Sequence, residues 1–156
     1  PKMPTPRSGC SAVALFDMLY VAGGKGTDGQ ILATVERFDP SVGWWQVLPQ
    51  MPMPRSASAA ASLGGRIYVS GGFNGFDGVS SMDSFDPATG QWEAQEPMQT
   101  WRIGAAMVVA GGYLYALGGK TGGEHALTGE WYNPTKGSWS WLPPMPERHV
   151  YCAGAA

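Results

Sequence analysis

The sequence predicts an all-β chain: three four-stranded antiparallel units followed by one additional strand. Three observations carry this. Five markers return together every 47 or 48 residues, as stacked supersecondary units do. Short apolar runs are separated by paired glycines or Asp-Pro steps, which is turn chemistry. No window combines helical periodicity with capping residues.

The markers are quickly located. Double glycines stand at Gly23-Gly24, Gly71-Gly72 and Gly118-Gly119, each after a Tyr-bearing strand. Phe38-Asp39-Pro40, Phe85-Asp86-Pro87 and Tyr132-Asn133-Pro134 follow. Then come Trp45, Trp92 and Trp139, and Met51, Met98 and Met145, with Met3 one period earlier. The last marker is Arg7, Arg55, Arg102 and, in the fourth copy, His149. Only one interval varies: the first unit carries one extra residue between the double glycine and Phe38. Loops accept insertions and strands do not, so that segment is a loop.

Within each unit the first strand is small and apolar: Ser11–Ala14, Ala59–Ala61 and Ala105–Val109. Small side chains suit the crowded innermost strand of a radial sheet. Phe16-Asp17, Gly64-Gly65 and Gly111-Gly112 turn into the second strand, where glycine supplies the positive φ of a hairpin turn. The third strand ends at Phe38, Phe85 or Tyr132. Asp39–Gly43, Asp86–Gly90 and Asn133–Gly137 read as type I turns with a left-handed glycine at the exit. The Trp opens the fourth strand, and a Pro/Met-rich connector leads onward.

Composition excludes other classes. Hydrophobic residues make up 44% and the net charge is −2, so disorder is not expected. No apolar run reaches the 18 residues of a membrane helix. Near-neutral charge leaves no basic stripe for nucleic acid. Two cysteines make no disulfide framework. Pro1–Arg7 lacks an apolar signal core, and the expected location is cytoplasmic.

Arg, small strand, Tyr-x-x-Gly-Gly, aromatic-Asp-Pro, Gly-x-Trp and Met in this register resemble kelch repeats over the whole chain. The resemblance implies a β-propeller with one four-stranded blade per repeat: 7–54, 55–101 and 102–148, with 149–156 starting a fourth. Departures are His149 for Arg, Asn133 for Asp, and Gly129 for an apolar residue of the third strand. The resemblance is nearest to the kelch domains of BTB-kelch ubiquitin-ligase adaptors. It implies a non-catalytic protein-interaction module binding a short peptide at one mouth of the ring. Three repeat positions commonly line that mouth: Lys25, Phe73 and Lys120; Thr34, Ser81 and Thr128; Arg7, Arg55, Arg102 and His149. Cations and hydroxyls around one mouth suit a carboxylate or phosphate, so the expected partner is a protein or peptide, acidic or phosphorylated. Phe73 and Phe76 would add an apolar anchor. Each Arg has a second reading, as a strand-start residue bonded to loop carbonyls. A kelch-type small-molecule enzyme, such as a sugar epimerase, and an actin-associated scaffold are the alternatives.

Three blades are fewer than the four to eight that close a propeller. Both end sheets would then show apolar faces to water, which soluble monomers avoid. Self-association of two three-blade halves, or completion by further blades, is therefore expected. Cys10 and Cys152 share one repeat offset, so Ser8–Ala14 and Val150–Ala156 would compete for one inner-strand slot.

Other patterns carry less. Gly24-Lys25-Gly26-Thr27-Asp28-Gly29 matches G-x-G-x-x-G, but no helix follows it, so no dinucleotide cofactor is expected. Cys10, Cys152, His125 and His149 fit no zinc spacing. Asp28, Asp77, Glu124 and Glu130 read as solvated carboxylates rather than an acid/base pair. The connector methionines read as packing between blades. No metal and no cofactor are expected.

Overall fold

A computed structural model describes residues 1–151. Those residues form three four-stranded antiparallel sheets, each in the order of the sequence. The first holds β1 (Ser11–Leu15), β2 (Met18–Ala22), β3 (Val35–Asp39) and β4 (Trp44–Leu48). The second holds β5 (Ala59–Leu63), β6 (Arg66–Ser70), β7 (Met82–Asp86) and β8 (Gln91–Gln95). The third holds β9 (Ala106–Ala110), β10 (Tyr113–Leu117), β13 (Gly129–Asn133) and β14 (Ser138–Trp141). These are the expected propeller blades. Of the expected fourth copy, residues 152–156 lie outside the described residues.

One element departs from expectation. The loop after Gly118-Gly119 contains a small hairpin of β11 (Lys120–Thr121) and β12 (Glu124–His125). Its turn is Gly122-Gly123, with φ of 55° and 85°, as a primed hairpin turn needs. The same turn geometry joins β1 to β2 without glycine: Phe16 and Asp17 hold φ of 52° and 60°.

The Asp-Pro turns form as their sequence implies. The Asp39 and Asp86 carboxylates accept the backbone N–H two residues on, each at 2.8 Å. The Asn133 amide oxygen does the same for Thr135 at 3.0 Å, so Asn replaces Asp without loss. Gly43, Gly90 and Gly137 close the turns onto the carbonyls of Asp39, Asp86 and Asn133.

The blades stack face to face through β1, β5 and β9, their innermost strands. Each blade thus has a front, facing the blade before it, and a back, facing the blade after it. The back of the first blade and the front of the second bury Tyr20, Val35, Met51, Ile67, Val69 and Phe85. The back of the second and the front of the third bury Tyr68, Met82, Met98, Leu114, Tyr132 and Trp139. At about 1.5–3 kcal/mol for each large apolar side chain, these two joints hold the blades together. The Trp opening each fourth strand tilts against the ring ending the third: Phe38–Trp45 at 5.1 Å, Phe85–Trp92 at 5.0 Å, Tyr132–Trp139 at 5.2 Å. Gly129 makes room in the third blade. A Cβ there would lie 2.9 Å from Leu117 Cδ2 and 3.0 Å from Leu142 Cδ1.

Among the described residues, two blade faces have no neighbouring blade. The front of the first carries Ala12, Ala14, Leu19, Phe38, Trp45 and Val47, with Leu19 46% and Val47 62% exposed. The back of the third carries Val108, Tyr113, Tyr115 and Trp131. No helix among the described residues is long and apolar enough to cross a membrane.

Candidate protein-binding mouth

The loops joining second to third strands share one end of the stack: 23–34, 71–81 and 118–128. Each starts at the double glycine, and the backbone there permits nothing else. A Cβ on Gly23 would sit 2.2 Å from the Arg55 carbonyl oxygen, and one on Gly71 2.6 Å from that of Arg102. Both glycines have φ of 66°. Gly24, Gly72 and Gly119 donate to the carbonyls of Arg55, Arg102 and His149 at 2.7–2.8 Å. Each loop is thereby tied to the connector behind it.

The arginines hold the bases of these loops. Arg7 Nη1 donates to the carbonyls of Gly23 and Thr34, at 2.8 and 3.0 Å. Arg55 Nη1 does so to Gly71 and Ser81, at 3.0 and 2.9 Å, and Arg102 Nη1 to Gly118 and Thr128, both at 2.8 Å. Each pair of carbonyls marks the two ends of one loop. An acid from the third strand completes each set: Glu36 for Arg7, Asp83 for Arg55, Glu130 for Arg102. All three arginine side chains are 0% exposed. Burial pulls the Arg55 guanidinium below its ordinary pKa, and Asp83 opposes the shift. Charge-assisted bonds to fixed carbonyls and a carboxylate offset most of the cost of burying such a cation, while Arg55 Nε is left without a hydrogen bond.

This geometry corrects one expectation. Arg7, Arg55 and Arg102 do not present their guanidinium groups to a partner; carbonyls and carboxylates surround them. The hydroxyls behave alike. Ser81 Oγ accepts from Arg55 Nη2 at 2.9 Å and Thr128 Oγ1 from Arg102 Nη2 at 3.1 Å. Thr34 Oγ1 is buried without a hydrogen bond. The physical cause is the third-strand acid, whose partnership with the Arg the linear sequence does not reveal.

The remaining set does reach the mouth. Lys25, Phe73 and Lys120 form equivalent bridges with Ser8, Ser56 and Ile103. Lys25 and Lys120 are exposed and Phe73 is half-buried. His149 is exposed and lies at the edge of the third loop.

The loop tips differ in chemistry. In the first, Asp28 Oδ1 accepts the Gln30 N–H at 3.1 Å. In the second, Asn74 Oδ1 accepts the N–H groups of Phe76 and Asp77, at 2.8 and 2.9 Å. That cap holds Phe76 outward at 89% exposure. Trp101 supports the same loop from below: a Cβ on Gly78 would meet its ring at 2.3 Å. In the third, Thr121, Glu124, His125, Leu127 and Arg148 border an open hollow of about 310 Å³. Arg148 pairs with Glu124 at 3.0 Å. Among the described residues, no three His, Cys, Asp or Glu side chains group as a metal site would require.

Three radial four-stranded blades with tied loops at one end define a β-propeller repeat module. The chain belongs to the kelch-repeat family: the family model described as the KLHDC2/KLHL20/DRC7 Kelch-repeats domain matches residues 1–155. Among solved structures, it is similar to that titled "Structure of YjhT", with a TM-score of 0.80 and 22% identity. The match covers 93% of this chain and 54% of that one, so this chain spans about half its length. At that identity the likeness speaks for the fold alone. No curated protein matches the chain.

Proposed function

We propose that this chain is a non-catalytic protein-interaction module that binds a peptide segment across the tied loops. One observation carries the reading: three loop bases held by equivalent arginines at both ends support three dissimilar, exposed tips. Rigid bases with variable tips suit recognition, because preorganised loops lose little entropy on binding. Phe76 is the apolar anchor, with Phe73 beneath the same loop. Lys25 and Lys120 supply cations for an acidic or phosphorylated segment. Kelch domains of BTB-kelch type recruit substrates to ubiquitin ligases, and an adaptor role in the cytoplasm follows for this chain on that analogy.

The test is selection of a random displayed peptide library on the purified chain. Selected peptides should be acidic. Phe76→Ala and the double variant Lys25→Glu/Lys120→Glu should each weaken their binding at least tenfold at unchanged melting temperature. Selected peptides indifferent to both variants would remove the mouth as the binding surface.

A further inference from the structure

We propose that Asn74 is a site of spontaneous deamidation, at which the loop carrying Phe76 passes from a neutral to an anionic form. The site is the dipeptide Asn74-Gly75 at the tip of the second loop.

Deamidation within a chain begins when the backbone nitrogen of the next residue attacks the side-chain amide carbon. Three things decide whether it proceeds: access to that nitrogen, polarisation of the amide, and escape of ammonia. Gly75 meets the first. It has no side chain to shield its nitrogen, it is exposed, and its N–H bonds to no other group among the described residues. Its φ of 107° lies outside the regions open to other residues, so the loop itself calls for glycine there. The cap meets the second. Asn74 Oδ1 accepts the N–H groups of Phe76 and Asp77 at 2.8 and 2.9 Å. Two backbone donors thus aim at the oxygen on which charge develops when Cγ becomes tetrahedral, as in an oxyanion hole. For the third, Asn74 Nδ2 donates to no group among the described residues, so nothing retains the departing nitrogen.

The chemistry closes with water as its only co-reactant. Gly75 N bonds to Asn74 Cγ and gives up its proton to water. The Cγ–Nδ2 bond breaks and ammonia leaves. Water then opens the five-membered imide at either carbonyl. Opening at Cγ gives an ordinary aspartate. Opening at the backbone carbonyl gives isoaspartate, with the chain rerouted through the side-chain carbons.

The rest of the chain supplies the contrast. Asn133, the other asparagine, makes the same cap, accepting the N–H groups of Thr135 and Lys136 at 3.0 and 3.1 Å. Its neighbour is Pro134, whose ring nitrogen carries no hydrogen, so the imide does not form. Asp28 and Asp77 each precede glycine, but their side chains are carboxylates, which resist a nucleophile. Each event at Asn74 adds one negative charge to a chain of formal charge −2. The aspartate product keeps the cap, as Asp39 and Asp86 do in their turns. The isoaspartate product lengthens the backbone and shifts Phe76 from its place. The effect of that shift on peptide capture rests on the peptide-binding reading; the chemistry at Asn74 does not.

The experiment is incubation of the purified full chain at mildly alkaline pH, followed by peptide mass spectrometry that separates aspartate from isoaspartate. A synthetic peptide of residues 73–78 is incubated alongside. Asn74 should convert in the folded chain at least as fast as in the peptide, with Asn133 unchanged in the same sample. Gly75→Ala should slow conversion at least tenfold, and the same change in the peptide, which has no fold to lose, should slow it equally. Against peptides selected at the mouth, the isoaspartyl fraction should bind at least tenfold more weakly than Asn74→Asp, which carries the charge without the rerouted backbone. An Asn74 that stays intact in the folded chain while the peptide converts overturns the proposal, because the cap then holds the amide away from Gly75. Conversion of Asn133 at the rate of Asn74 overturns it too, because direct hydrolysis needs no neighbouring N–H. Mass spectrometry reads the site whether or not any peptide binds, so the two readings fail separately.

Discussion

Arg102 donates from both Nε and Nη2 to a single oxygen of Glu130, at 3.2 and 3.0 Å, and neither side chain reaches water. Glu130 uses its other oxygen to accept the Gln99 N–H at 2.7 Å. Breaking a buried pair by removing one partner leaves the other charge stranded, at a cost of about 3–5 kcal/mol. Arg102→Met is therefore expected to lower unfolding free energy by about that amount in urea titrations. The double variant Arg102→Met/Glu130→Met should recover a substantial part of it. Equal losses in the single and double variants would show that the bonds to Gly118 and Thr128, not the charge pair, set the cost.

Asp17 sits at φ 60° in the turn between β1 and β2, where the other two blades have glycine. A left-handed conformation costs an L-residue up to about 1–2 kcal/mol, and less for Asp, whose short polar side chain tolerates it. Asp17→Gly removes that cost and adds backbone entropy to the unfolded chain, an opposing effect of about 0.5–1 kcal/mol. The expected net result is a stabilisation of up to about 1 kcal/mol, read as a higher urea midpoint at unchanged slope.

Gly78 lies flat against the Trp101 ring, and a methyl group has no room there. Gly78→Ala must move the indole or the loop, at about 1–3 kcal/mol for overpacking. Because Phe76 rides on that loop, peptide binding should fall together with stability. Gly43→Ala is the control. Gly43 has φ of 68° and nothing within 4 Å of its Cβ position, so Gly43→Ala should cost stability through its backbone alone and leave binding unchanged.

Tyr68 and Tyr132 have pKa values raised above the ordinary tyrosine range, chiefly by burial. Their phenols ionise more readily in the unfolded chain than in the folded one. The stability this provides is complete below the unfolded value of about 10 and is lost as pH rises through the folded values. Unfolding free energy should fall between pH 9 and 11, and Tyr68→Phe/Tyr132→Phe should flatten the decline. Tyr132 also donates to Gln95 at 3.1 Å, so the variant begins from a lower plateau.

The blades were legible because their markers perform local tasks. Gly23-Gly24 must take positive φ, Asp39-Pro40 must turn, and Trp45 must cover Phe38, so each is visible in sequence. The arginine sites were not legible in the same way. Arg55 finds Asp83 across 28 residues, and an acid of the third strand is indistinguishable in sequence from a solvated one. In sequence Glu130 reads like the loop carboxylates Asp28, Asp77 and Glu124; in the fold it is 0% exposed. The hairpin at Lys120–His125 had a readable signal, the Gly122-Gly123 pair between Thr121 and Glu124. The corresponding segments of the other two repeats hold no such strand pair, so the repeat register hides it.

The arginine at each loop base separates what a loop contains from where it begins and ends. Arg7 spans Gly23 and Thr34 around a loop one residue longer than that closed by Arg55 between Gly71 and Ser81, with the same contacts at both ends. The segment between those anchors behaves as an interchangeable cassette. Its length and chemistry can drift, or be rewritten by design, while the blades beneath keep their register.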